Sequence, residues 1–341
     1  MKKARKLIPI IILNWNGEID TIDCLKSIRE SASSGFLPVI VDNGSNQKSL
    51  ETLKDQSNRI YKNILFFKKE ELVNFNSKEF SKFSNLFDND TLIFIENGEN
   101  LGFAKGNNIG VHIAELIDSE WVMLLNNDTE IEQDSLNKLF EFINANPSFK
   151  AVTPQIRLYN PKTKIWNCGG ELTHFGSRKY YFADEDYIDA PQFGSREITF
   201  ITGCALLYKF KETGVLTEKF FFGEEDYEFS LRMKKNKMKM ACVFDSIIYH
   251  KVGASIKKNS NTLGLIYIHY ANRLINTRDY YSTFRWKASK ILSYLYIPLL
   301  LMKSKINPMK TLPFIIKMNL FIKENYEVNK KDFLALKKIK L

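Results

Sequence analysis

This sequence of 341 residues lacks the patterns that define several common classes of protein. Its four cysteines never form a Cys-X-X-Cys pair and are scattered, at Cys24, Cys168, Cys204 and Cys242. We therefore expect neither a zinc site nor a disulfide framework, and a reducing compartment is the default. An apolar run of about 20 residues, the length needed to cross a bilayer, is also missing. The run Ile291–Met302 has only twelve residues and contains Pro298.

The apolar run near the amino terminus is short as well. Leu7–Leu13 follows a basic segment and leads into Asn14-Trp15-Asn16-Gly17 without a small-residue cleavage site. A secretion signal would need such a site, so we interpret this run as a first β-strand.

The glycine-rich segment does not have the spacing of a dinucleotide-binding loop. Gly98, Gly102, Gly106 and Gly110 recur every four residues, which is not the Gly-X-Gly-X-X-Gly pattern and argues against a hydride-transfer enzyme. The spacing suits a turn that opens into a helix over Ala104–Ile117. Gly102 would let the backbone approach a ligand, and Gly106 and Gly110 share one helix face. Close packing of the helix on a sheet explains the same spacing equally well.

Acidic residues are scarce in the last part of the chain. From Arg285 to Leu341 there are 13 Lys or Arg and 3 Asp or Glu, so the net charge of +10 resides in this tail. Lysines border the apolar runs Ile291–Met302 and Leu312–Ile322, a pattern that favours helices lying in the interface of an anionic membrane. The apolar content fits a membrane surface better than nucleic acid. A helical hairpin packed on the rest of the chain is the alternative.

The remaining sequence is typical of a folded α/β protein. The whole chain is 44% hydrophobic and 26% charged, and its length allows one large core or two smaller ones. Leu7–Leu13, Thr21–Glu30 and Leu37–Val41 predict strand, helix, strand, which demands a parallel sheet. Further strands are predicted over Thr91–Ile95, Trp121–Leu125, Ala151–Pro154, Glu197–Tyr208 and Met240–Tyr249. Further helices are predicted over Gln133–Ala145 and Thr262–Phe284.

Two stretches have no clear periodicity. Arg59–Asp90 is interpreted as an inserted loop with a short helix around Glu70–Phe83. Tyr159–Phe193 is interpreted as loop-like, because it contains Asn-Pro and Gly-Gly pairs between scattered aromatic residues.

Polar residues follow several predicted strands directly. Asp42, Asp128 and His250 each come just after an apolar strand, at the end where open α/β sheets bind ligands. Asp128 offers a hard oxygen to a cation such as Mg²⁺. In the ordinary alternative, Asp128 or Thr129 caps a helix that begins near Ile131, and His250 is structural.

A second acidic cluster, Gly223-Glu224-Glu225-Asp226, begins a predicted helix. Three acids in a first turn can simply favour the helix dipole. However, three phenylalanines precede them, and a carboxylate in apolar surroundings is costly without a partner or a function. Gly203, inside a predicted strand, is typical of a bulge or a nearby ligand.

Seven motifs occur in order: ILNWNG (12–17), VDNGSN (41–46), NLGFAKGNN (100–108), LLNNDT (124–129), TGCALL (202–207), FFGEEDYEFSLR (221–232) and IYHKVG (248–253). Together they resemble the family 2 inverting glycosyltransferases, in particular the bacterial rhamnosyl- and galactofuranosyl-type branch, from about Lys6 to Gly253. The resemblance implies an α/β GT-A fold, with a Rossmann-like, mostly parallel sheet flanked by helices. It implies a catalytic domain over residues 1–255, with a nucleotide-sugar half near 1–130 and an acceptor half near 131–255. A helical, basic and apolar extension over residues 256–341 would follow.

The resemblance also implies roles for individual residues. Asp226 matches the general base, with Glu225 beside it, and Asp128 and His250 match ligands of Mn²⁺ or Mg²⁺. Asn126 stands where the family's DxD motif has its first acid, which leaves Asp128 as the main carboxylate for the metal. Gly203 and Cys204 are assigned to the acceptor side. The residues assigned to the nucleotide sugar are Asn14, Asp42, Asn100, Gly102, Asn107, Asn126 and Asn127.

The expected activity is metal-dependent sugar transfer with inversion, because one base and no second carboxylate nucleophile favour a single displacement. The expected donor is a dTDP- or UDP-linked sugar, rhamnose first, and the acceptor is a glycan or lipid-linked glycan of a surface polysaccharide. The protein is expected to lie on the cytoplasmic face of the plasma membrane. It could form oligomers, and it is not expected to bind nucleic acid. A nucleotidyltransferase would need a basic loop after the first strand, and Asn14–Asp20 has no Lys or Arg. A silent sugar-nucleotide or glycan-binding module would be suggested by loss of Asp226 or Asp128, and both are present.

Overall fold

The computed structural model describes residues 7–31, 35–252 and 261–339. Gly253 of the last motif and the expected domain boundary at residues 255/256 lie outside these ranges, as do residues 1–6. The strands are β1 Ile8–Asn14, β2 Phe36–Asp42, β3 Asn63–Lys68, β4 Thr91–Glu96, β5 Val122–Asn126, β6 Thr129–Ile131, β7 Phe149–Leu158, β8 Ile165–Asn167, β9 Gly170–Leu172, β10 Arg178–Tyr180, β11 Ser195–Ile198, β12 Ala205–Tyr208 and β13 Lys239–His250. The helices are α1 Glu18–Glu30, α2 Gln47–Ile60, α3 Lys69–Leu72, α4 Ser77–Phe80, α5 Phe103–Leu116, α6 Ser135–Ala145, α7 Phe210–Thr213, α8 Glu225–Lys235, α9 Thr262–Tyr280, α10 Thr283–Lys303, α11 Thr311–Glu324 and α12 Lys330–Leu336.

A large, mostly parallel sheet forms the centre of the described chain. Its strand order is β11-β13-β7-β12-β5-β1-β2-β4-β3, with β6 paired to β13 and β8 to β7. β1 lies parallel to both β2 and β5, while β12 and β11 run antiparallel to their neighbours. The predicted α/β architecture, with helices on a mainly parallel sheet, is therefore confirmed.

The apolar strands bury both of their faces. Alternate residues of β1 point to opposite sides, so Ile11 joins a core with α5, whereas Ile10 and Ile12 join a core with α1, α2 and α6. Gly106 and Gly110 allow α5 to pack very close to β1. A Cβ at Gly106 would lie 2.6 Å from Leu13, and one at Gly110 would lie 2.4 Å from Ile11. Of the two explanations for the glycine spacing, these positions support close packing of the helix on the sheet.

Three local predictions are wrong. Arg59–Asp90 is not an inserted loop, because β3 lies parallel to β4 at the sheet edge, but helical structure is present around Glu70–Phe83, as predicted, in α3 and α4. Glu197–Tyr208 is not one strand: β11 and β12 belong to different positions in the sheet, and Gly203 lies in the turn between them. Tyr159–Phe193 contains the short strands β8, β9 and β10. β8, β9 and β10 have three residues each, which is too few for the alternation of a strand to be recognised from sequence alone.

The carboxy-terminal helices form an apolar cluster of their own. Ile297 and Leu301 of α10, and Phe314 and Met318 of α11, are buried against α9 in this cluster. In the described ranges, no helix combines the length and the apolar character required to span a bilayer.

Candidate functional site

The parallel register brings three predicted residues to one edge of the sheet. Asn14 is paired with Asp42 at the ends of β1 and β2, and Leu13 is paired with Asn126 on β5. Because these neighbouring strands are parallel, all their polar endings lie at the carboxyl edge.

Asn14 and Asp42 are buried and fully engaged with each other and with the adjacent turns. The Asn14 amide donates to Asp42 Oδ1 at 2.9 Å, and its carbonyl oxygen accepts from Thr21 Oγ1 at 2.9 Å. Asp42 Oδ2 accepts from the backbone N–H of Ser45 at 3.0 Å. Asn14 therefore fixes the orientation of Asp42, which is only 2% exposed.

The predicted residues of the glycine-rich segment are tied to the turn after β2 through Asn43. Asn43 donates to Asn100 Oδ1 at 3.2 Å and to the Gly102 carbonyl at 3.1 Å. Gly102 has φ +87°, and a Cβ there would lie 2.2 Å from the Phe221 carbonyl oxygen. Gly102 therefore lies close to the protein's own backbone at Phe221. Asn107 is buried within α5, where its side-chain amide donates to the Phe103 carbonyl at 3.0 Å.

The residues after β5 connect this turn to the rest of the edge. Asn127 donates to Thr21 Oγ1 at 3.0 Å and to the Gly17 carbonyl at 3.3 Å, while Asn126 remains partly exposed. Asp128 does not cap a helix near Ile131, because β6 begins at Thr129 and α6 begins only at Ser135.

Strand β6 brings Asp128 to His250. It pairs antiparallel with β13 and places Thr129 opposite His250. His250 Nε2 lies 3.2 Å from Asp128 Oδ1, and the Trp166 ring packs edge-on against the imidazole at 4.5 Å. Burial favours the neutral imidazole, but Cys204 and the Asp128 carboxylate outweigh it and raise the pKa of His250 to about 10.

The Asp128–His250 pair fits two adjacent ligands of one divalent cation. Oxygen and imidazole ligands at about 2.1 Å, roughly at right angles, are separated by about 3 Å, close to the distance found here. No group of three or more His, Cys, Asp or Glu side chains suited to a metal occurs in the described ranges, so other ligands would have to come from a substrate or water. His250 Nδ1 is buried without a hydrogen-bond partner, whereas metal-bound histidines usually donate their second N–H.

Asp226 reaches the same edge through the turn that precedes β12. The backbone N–H of Gly203 points to Asp226 Oδ2 at 3.5 Å, and the Cys204 carbonyl accepts from Asn126 N–H at 2.8 Å. Burial raises the pKa of the Cys204 thiol, and His250, Asp128 and Asp226 all lie close enough to influence it. The turn Gly203–Cys204 is therefore where the separate predicted groups converge.

Glu225 and Asp226 are carboxyls with raised pKa values. Burial first, and then the Asp226 carboxylate, raises the pKa of Glu225 to about 8, and its Oε2 has no hydrogen-bond partner. Burial also raises the pKa of Asp226, while Arg178 at 3.9 Å opposes the shift. The Asp226 side chain is 20% exposed, so it combines a raised pKa with access to solvent.

A charged network around Glu224 was not predicted from the sequence. This carboxylate is almost completely buried and lies 2.9 Å from Arg178, 3.1 Å from Arg273 and 2.9 Å from His269. Burial by itself raises the pKa of Glu224, but the neighbouring guanidinium groups, Arg178 first and then Arg273, hold it well below its usual range, whereas burial lowers the pKa of His269. We call these four side chains the charged network.

The backbone at Glu224 is held as firmly as its side chain. Glu224 has φ +70°, an unusual value for a residue with a Cβ, directly before α8. Its carbonyl accepts from Asn276 at 2.9 Å, and the Gly223 carbonyl accepts from Asn272 at 2.9 Å. Helix α9 thus fixes the turn that presents Asp226. The acidic cluster marked this turn in the sequence, but nothing there indicated that Arg178 and α9 would surround it.

Known proteins resemble this chain in sequence and in fold. Residues 77–212 match the model of glycosyl transferase family 2. The low-salt glycan biosynthesis hexosyltransferase Agl10 of Haloferax volcanii is 23% identical over 199 residues, which span 57% of this chain and 62% of that protein.

Solved structures have a similar fold. GalNAc-T7, solved with UDP, GalNAc and Mn²⁺, aligns with a TM-score of 0.55 and 14% identity, over 98% of this chain and 57% of its own. The mannosyltransferase PcManGT of Pyrobaculum calidifontis, solved with GDP-Man and Mn²⁺, aligns with a TM-score of 0.52 and 13% identity, over 93% and 74%. The fold is GT-A. At this identity the likeness establishes the fold, and the family match supports a glycosyltransferase of family 2.

Proposed function

We propose that this protein is an inverting, metal-dependent glycosyltransferase that moves a sugar from a nucleotide diphosphate to a glycan or lipid-linked acceptor. The observation that carries the proposal is the convergence of Asp128, His250 and Asp226 at the Gly203–Cys204 turn. These residues come from three elements that are far apart in the sequence.

Asp226 acts as the general base in this proposal. It accepts the proton of the acceptor hydroxyl as that oxygen bonds to the anomeric carbon and the bond to the diphosphate breaks. Its raised pKa brings the carboxylate closer to the pH at which it works. Glu225, with a pKa raised to about 8 and no hydrogen bond at Oε2, lies beside the base but does not act as one, because it is more deeply buried than Asp226.

Asp128 and His250 hold the cation, either Mn²⁺ or Mg²⁺. When bound, a divalent ion would supply Lewis-acid neutralisation of the diphosphate leaving group. The chain's own contribution is to place one carboxylate oxygen and one imidazole nitrogen side by side at the edge of the sheet.

The nucleotide side consists of Asp42 and the turns around it. The tight hydrogen bonds of Asn14, Asn43 and Asn127 keep this edge rigid, so the donor would meet a preformed surface. The proposed donor is dTDP-rhamnose, with UDP-linked sugars as the next candidates. The acceptor side includes Gly203 and Cys204.

The direct test is a panel of nucleotide sugars incubated with the full-length protein and Mn²⁺. We expect one donor to be hydrolysed slowly without acceptor, EDTA to abolish that activity, and Mn²⁺ or Mg²⁺ to restore it. A protein that releases no nucleotide from any of the dTDP-, UDP- and GDP-linked sugars would contradict the proposal.

A further inference from the structure

Helices α10 and α11 each have one apolar face that nothing in the described structure covers. On α10, Ile291, Leu295 and Leu299 are 57%, 68% and 60% exposed. On α11, Leu312, Ile316 and Leu320 are 67%, 50% and 56% exposed. Each set recurs every four residues, so each lies along one side of its helix. We call these six side chains the outer face.

The outer face lies opposite the side by which both helices are anchored. Ile297 and Leu301 of α10 are completely buried with Phe314 and Met318 of α11 in the cluster that includes α9. Because both helices pack on α9 with their other side, their exposed stripes point away from it. Single exposed leucines are ordinary, but two adjacent stripes of this kind indicate an interaction surface.

The charge around the outer face selects the partner. From Thr283 to Lys323 the chain has no Asp or Glu but eight basic residues, at 285, 287, 290, 303, 305, 310, 317 and 323. A second copy of the chain would bring these charges against each other. Anionic headgroups complement them, and apolar helices with basic borders are suited to the membrane interface.

A series of contacts connects helix α10 to the carboxylate proposed as the base. Ser289 on α10 donates to the Phe175 carbonyl at 2.8 Å, within the turn that joins β9 to β10. Arg178 at the start of β10 then lies 3.9 Å from Asp226. Helix α10, which carries part of the outer face, therefore contacts the same hairpin that reaches the base.

We propose that the outer face docks on an anionic membrane surface and so presents Asp226 to an acceptor carried by a lipid. The docking rests on the outer face alone. The second part, presentation of the acceptor, rests on the proposed transfer activity.

The test is flotation of the full-length protein with vesicles of phosphatidylcholine, with and without 30% phosphatidylglycerol. We expect binding to the anionic vesicles only, and at least a tenfold lower bound fraction for the double variant Leu295→Glu with Leu299→Glu. The matched control is Ile188→Glu with Phe193→Glu, which changes two side chains that are 71% and 82% exposed elsewhere on the protein. This control should float like the parent.

A charge variant tests whether the basic residues contribute to membrane binding. Lys303→Gln with Lys305→Gln should lower the bound fraction on anionic vesicles several-fold, because both lysines are exposed beside the outer face. Donor hydrolysis without vesicles should stay within twofold of the parent in all of these variants. If the parent itself hydrolyses no donor but still floats with anionic vesicles, the proposed transfer activity is wrong and the docking proposal stands.

Two results would overturn the docking proposal. One is equal flotation of the parent and the outer-face variant. The other is a parent that binds no vesicles and has the mass of two chains by light scattering, which the outer-face variant reduces to one. That outcome would assign the face to a second copy of the chain.

Discussion

The two sides of the sheet edge hold their polar groups by different means. Around Asp42, amide side chains of Asn14 and Asn43 bond to neighbouring turns. Around Asp226, buried charges of the charged network compensate one another, and two carboxyl pKa values remain raised. An amide network mainly provides rigidity, whereas buried charges also set protonation states, so chemistry is expected on the second side.

The largest expected effect comes from removing the proposed base. Asp226→Asn keeps the size of the side chain but cannot accept the acceptor's proton, so we expect transfer to fall by about 10²–10⁴-fold. Donor and metal binding, measured by calorimetry, should stay within threefold of the parent. Asp186→Asn, which removes an exposed partner of Lys164, serves as the control.

If Asp226→Asn transfers sugar at a rate within threefold of the parent, Asp226 is not the base. The charged residues around Asp226 would then have only a structural role, and the contrast with the surroundings of Asp42 would not hold.

The next effect concerns Arg178, the charged residue that contacts both Glu224 and Asp226. Arg178→Gln removes the nearby cation that lowers the pKa of Asp226. Because the base must be deprotonated and its pKa rises further without this cation, the acid limb of the pH–rate profile should move to higher pH. Arg178→Lys keeps a positive charge there, so its acid limb should lie between those of the parent and Arg178→Gln.

Arg273→Gln is the matched comparison, since Arg273 contacts Glu224 but Asp226 has no contact with it in the described structure. Both variants should lose roughly 1–3 kcal/mol of unfolding free energy, because Glu224 stays buried with fewer partners. Only Arg178→Gln should move the acid limb. Equal movement in both would show that the network acts on Asp226 as a whole.

The smallest effect is a pH dependence of stability. The pKa of Glu225 is raised to about 8 in the folded state, from about 4.5 when unfolded, so the native state binds the proton more tightly. Its stabilising contribution is complete below pH 4.5 and is lost as pH rises through 8.

The unfolding free energy of the parent should therefore fall more between pH 6 and pH 9 than that of Glu225→Gln. The difference between the two decreases should be roughly 1–3 kcal/mol. Urea denaturation without added divalent ions measures this difference. Parallel stability profiles for the two proteins would indicate that Glu225 carries no raised pKa.

How much could be predicted from the sequence differs between the two sides. Asn14, Asp42 and Asp128 directly follow apolar strands, so strand recognition was enough to place them at one edge of a parallel sheet. Their hydrogen-bond partners Thr21 and Ser45 are within seven residues of Asn14 or Asp42, which is why this side was largely predictable.

The sequence by itself determined the apolar strands, the parallel sheet and the polar residues at its edge, because burial and strand periodicity are properties of short segments. Only the tertiary structure decided what surrounds Glu224, since Arg178 and Arg273 come from a short hairpin and a distant helix with no local pattern. It also decided that β6 sets Asp128 against His250, and that α10 and α11 keep an apolar side outward. Those contacts depend on how separate elements pack, and no short stretch of residues encodes that.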